Sequence, residues 1–174
     1  TPTITIDTAP TPDNVFLSTT SGIVRQFNPQ TFAAFDMATG DDIHVLNDPV
    51  NPYLTISNIN AITVDANGDS LNSRYAWLTF WAVQNSAGDP NHIFVNLPNG
   101  VYSTEANALV DSDATKIRTI PLNSEQTAFL LSETLFKVSG GGGSTWEEIQ
   151  TNVLLGQSSL GGGGGSIVAP ITSF

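Results

Sequence analysis

The sequence predicts an all-β fold, an antiparallel β-sandwich of jelly-roll type over residues 1–139, followed by a glycine-tethered C-terminal extension over 140–174. Three observations predict it. Short segments alternate polar and apolar residues at period two, the spacing that sends successive side chains to opposite faces of a strand. Turn-forming clusters separate these segments, among them Asn51-Pro52, Asn67-Gly68 and Pro98-Asn99-Gly100. Ten prolines, with many Asn, Asp, Ser and Thr residues, suit short strands joined by loops.

Thr3–Asp7 opens the series with strict alternation, Ile4 and Ile6 on one face. The same pattern recurs at Asn14–Ser18, Gly22–Phe27, Asp42–Leu46, Tyr53–Ser57 and Ala61–Asp65. Arg74–Gln84 is the most informative strand: Ala76, Leu78, Phe80 and Ala82 form one face, and Tyr75, Trp77, Thr79, Trp81 and Val83 the other. Both faces are apolar, so both call for cover, whereas a sheet in a lone sandwich leaves one face polar. Either the chain's own loops cover the second face, or it packs on another subunit or a ligand. Residues 85–91 read as a hairpin loop, with Ile93, Val95 and Leu97 returning on one face. Val101–Thr104 and Lys116–Ile120 complete the short strands, and Glu105–Val110 has room for one helical turn. Thr127–Val138 has two mixed faces, and the glycine that soon follows favours a strand over a short helix.

Nine of the 15 glycines lie in two runs, Gly140–Gly143 and Gly161–Gly165. Between them Ser144–Leu160 is a short island containing Trp146, and after them comes the apolar tail Ile167–Phe174. Runs of this composition act as flexible tethers. The extension is expected to dock on the core or on a neighbouring subunit, with Trp146 and Phe174 as anchors.

Composition removes several chemistries. Without cysteine there is no disulfide, thiolate metal site or thiol nucleophile. Five basic residues against 16 acidic ones, a net charge of −11, argue against nucleic acid as a partner. No stretch approaches the roughly 18 apolar residues of a membrane span, and no targeting segment is visible. The two histidines, His44 and His92, lie in separate strand-like segments with no second histidine nearby in sequence. No Gly-x-Ser-x-Gly elbow or phosphate loop is present, and the chain is expected not to be an enzyme and to carry no organic cofactor.

One stretch has the spacing of a calcium loop. Asp65, Asn67 and Asp69 supply oxygens at alternate positions, with Ser73 further on, and resemble the first half of dockerin-type and EF-hand loops. The bidentate acid that should close such a loop is replaced by Ala76. The alternative is a polar hairpin turn in which Asn67-Gly68 provides a positive φ.

Ile62–Gly68, the aromatic strand Tyr75–Val83, the following turn and strand, and Lys116–Ile120 together resemble bacteriophage fibre and virion-surface proteins, over about residues 59–140. That resemblance implies a virion structural protein, a homotrimer contacting other virion proteins. It would be a tail or head fibre or a capsid decoration protein. A carbohydrate- or host-receptor-binding module is the alternative, with host surface glycan as ligand. Tyr75, Trp77, Trp81, Trp146 and Phe174 are the candidate interface or ligand residues.

Overall fold

The computed structural model describes residues 2–10, 12–25, 29–83, 92–111, 113–120, 128–140 and 145–154. The hairpin loop expected at 85–91, the second glycine run, the apolar tail and Phe174 lie outside the described residues.

The fold is all-β. Eleven strands are described: β1 Pro2–Asp7, β2 Asn14–Thr19, β3 Gly22–Arg25, β4 Pro29–Phe32, β5 Phe35–Asp36, β6 Ile43–Val45, β7 Leu54–Ile56, β8 Arg74–Val83, β9 His92–Asn96, β10 Ala128–Ser139 and β11 Thr145–Val153. The single described α-helix, α1, spans Glu105–Val110 and is capped by Thr104, whose side chain accepts from the Asn107 amide.

Three sheets result. A six-stranded sheet has the order β11-β10-β8-β9-β6-β7, a three-stranded sheet the order β1-β2-β5, and β3 pairs with β4. One buried core joins them: Val15 and Leu17 of β2 and Phe35 of β5 cluster with Leu78 and Phe80 of β8, Val95 of β9 and Phe136 of β10. The two larger sheets are unequal, and the large one is mixed: β6 runs parallel to β9, while the other described pairings are antiparallel. Asn47 prolongs this parallel pairing with its side chain, donating to the Leu97 carbonyl at 2.9 Å and accepting from the Leu97 amide at 2.7 Å.

β8 and β10 are interior strands of the large sheet and are buried along almost their whole length. Strands buried on both faces read as near-continuous apolar runs, which is how β8 reads. In β10 the register against β8 shifts between Leu130 and Ser132, leaving Leu131 as an extra residue. A bulge of this kind breaks the two-residue period. Hence Phe129, Leu131 and Phe136 all reach the main core, although no single alternating face connects them in sequence.

Some expected strands are absent as strands. Val64 and Tyr102 make only isolated bridges, to Ser70 and Tyr75, and Lys116–Ile120 lies outside the sheets. Within the segment expected as an island, Thr145–Val153 is β11, hydrogen-bonded antiparallel to β10 at the edge of the large sheet. Gly140, just after β10, has φ of 85°, in the left-handed region that glycine tolerates. Among the described residues, no helix is long and apolar enough to cross a membrane.

Candidate functional site

The face of the large sheet turned away from the main core holds most of the chain's unusual chemistry. β8 contributes Tyr75, Trp77, Thr79 and Trp81 to it. The register sets Leu135 opposite Trp77, Glu133 and Asn96 on either side of Thr79, and Leu130 and Phe94 on either side of Trp81. The result is a polar row, Glu133–Thr79–Asn96, crossing three strands between two tryptophans. All three polar residues are buried.

The chain itself covers the Trp77 end. Trp77, Leu135 and Ala108 form a small second core, with Tyr75, Tyr102 and Ile149 packed against it. The Trp77 indole N–H donates to the Ala108 carbonyl of α1 at 3.0 Å. Lys116 Nζ sits 4.0 Å from the centroid of the Trp77 ring, within cation–π range. Trp81 donates from its indole N–H to Asn96 Oδ1 at 2.8 Å. Trp77 and Trp81 are each 1% exposed. For Trp77, own-chain cover is therefore what forms. The expectation that these tryptophans present themselves to a partner or a sugar is corrected, because their rings are enclosed and their N–H groups already paired.

Glu133 is the electrostatic centre of this face. Lys116 Nζ donates to its Oε2 at 2.8 Å, and Arg118 Nε donates to Oε1. Arg118 also reaches Asp113 at 2.8 Å. The Lys116 and Glu133 side chains are 2% and 3% exposed, while Arg118 is partly open and Asp113 mostly exposed. Burial pushes the Glu133 carboxyl up, but hydrogen bonds from Arg118 and Lys116, with their charges, outweigh it and hold the group below its ordinary value. Alternation in the extended segment 116–120 sends Lys116 and Arg118 to the same carboxylate. Those two cations, readable as ordinary surface charge, instead anchor the segment to the sheet.

Beyond Trp81 the face opens toward solvent. Phe94 stands opposite His44 of β6, which stands opposite Thr55 of β7. His44, His92 and Phe94 form a ring cluster, with centroids 5.4 to 6.3 Å apart. Sequence spacing hid this pair, because 47 intervening positions separate the two histidines and a parallel strand pairing joins them.

The remaining candidates lie elsewhere. Trp146 belongs to the main core, edge-on to Phe136 at 5.3 Å, and its amide donates to the buried Asp13 carboxylate at 2.9 Å. Of the two expected anchorages, the core or a neighbouring subunit, Trp146 takes the core. Asp65 is buried, and its Oδ1 accepts from the Asn67 and Asp69 amides at 2.8 and 2.9 Å. The bridge Val64–Ser70 and the positive φ of Gly68 close the loop as a hairpin turn. Asn67 and Asp69 are exposed at its tip. Among the described residues, no three His, Asp or Glu side chains gather as a metal cluster. No protein-family model, curated protein or solved structure matches the chain.

Proposed function

We propose that this chain is a non-enzymatic structural protein of a bacteriophage virion, a fibre or surface component acting through contacts with further copies of itself and with other virion proteins. The observation that carries this reading is β11. It is a nine-residue strand at the edge of the large sheet, and among the described residues no strand pairs with its outer side. Past Trp146, whose amide the Asp13 carboxylate already occupies, such an edge offers backbone donors and acceptors to another chain. Trp146 roots this edge in the main core, so the surface is held in place before a partner arrives. The aromatic strand β8 supports the reading through its likeness to virion-surface proteins.

The test is the mass of the full chain by multi-angle light scattering over a wide concentration range. A trimer is expected, stable to dilution. A monomer at every concentration overturns the reading.

A further inference from the structure

We propose that His44 and His92 together bind one divalent transition-metal ion on the open part of the large sheet's second face. Their ring centroids are 5.7 Å apart with the planes tilted by 49°. Two imidazoles that each hold one ion at about 2.0–2.1 Å place their ring centres roughly 5–6 Å apart, and this pair has that separation. Thr55 Oγ1 lies 3.1 Å from His44 Nδ1. With Nδ1 engaged by the hydroxyl, Nε2 is the nitrogen left for a metal, as in sites where a second group fixes the ring and its tautomer.

The Asp42 carboxylate acts on His44 electrostatically and adds negative charge near a bound cation. Phe94 packs against both rings, with centroids 5.4 Å from His44 and 6.3 Å from His92, and limits their rotation. His92 is exposed and His44 half-buried, so an ion has an open approach and water fills its other positions. Imidazole nitrogen suits copper, nickel and zinc, and copper(II) binds most tightly in the divalent series.

The test uses the full chain without a histidine tag, titrated with copper(II) at pH 7.5 and followed by calorimetry and electron paramagnetic resonance. One equivalent is expected, with hyperfine structure from two nitrogens. H44A and H92A are each expected to weaken binding by about tenfold or more. Circular dichroism and the melting temperature of each variant check that it folds. H92A is the safer variant because that ring is exposed, and its result decides if H44A fails to fold. Absence of saturable binding overturns the proposal. So does binding that survives in H92A, since it assigns the ion elsewhere or to one ring alone.

Discussion

At Glu133 the energetic question is what remains when one partner of a buried ion pair is removed. Replacing such a pair with apolar groups can be nearly neutral, but stripping one partner leaves a buried charge uncompensated. In Glu133→Gln the buried Lys116 loses its buried partner and keeps only the exposed Asp113 carboxylate, 3.7 Å away. The expected loss is about 3–5 kcal/mol in urea denaturation. Arg118→Met removes a cation that is 41% exposed, so its loss should be nearer 1 kcal/mol. A larger effect for Arg118→Met than for Glu133→Gln would refute this ranking. The sign of the pH effect follows from the lowered Glu133 pKa. Above the ordinary value of 4.5 the carboxylate is charged in both folded and unfolded chains, and its pairing contributes fully. That contribution is lost as pH falls from there through the lower folded value. Stability measured between pH 6 and pH 3 should therefore drop more steeply for the wild type than for Glu133→Gln.

Among the elements, β8 and β11 show what local pattern reveals and what it hides. β8 was legible because burial on both faces leaves a mark on every residue, Tyr75 through Val83. β11 was not, because Thr145–Val153 carries Glu147, Glu148, Gln150 and Asn152, and its strand character comes from the ladder with β10. Lys116–Ile120 failed in the opposite direction. Its alternation is genuine, and it serves to aim two cations at Glu133 without joining a sheet. The His44–His92 contact left no local trace, since long-range parallel pairing creates it. Trp146 is the residue through which β11 is fixed, and Trp146→Ala should cost about 3–5 kcal/mol, as aromatic truncations in a packed core do. Chemical denaturation checks it. A loss below 1 kcal/mol would mean that the ladder alone holds the strand.

For the whole molecule, charge and topology matter more than any one contact. The net charge of −11 rests on a small fold with few cations to offset it. Self-repulsion of that kind is long-ranged and screened by salt, with a Debye length of about 30 Å at 0.01 M and about 8 Å at 0.15 M. Raising sodium chloride over that range should raise the melting temperature, and any oligomer should tighten along with it. An unchanged melting temperature would show that the carboxylates are spaced too widely to matter.

The hydrogen bond between Asp13 and Trp146 joins residues 133 positions apart. Together with the parallel β6–β9 ladder, it makes this a topology of high contact order. Chains built on such distant pairings pay loop-closure entropy before contacts reward them, and they fold in roughly milliseconds to seconds where helical bundles take roughly microseconds to milliseconds. β11 is what covers the outer edge of β10, so a chain truncated before Thr145 would bare that edge and is expected to aggregate where the full chain does not.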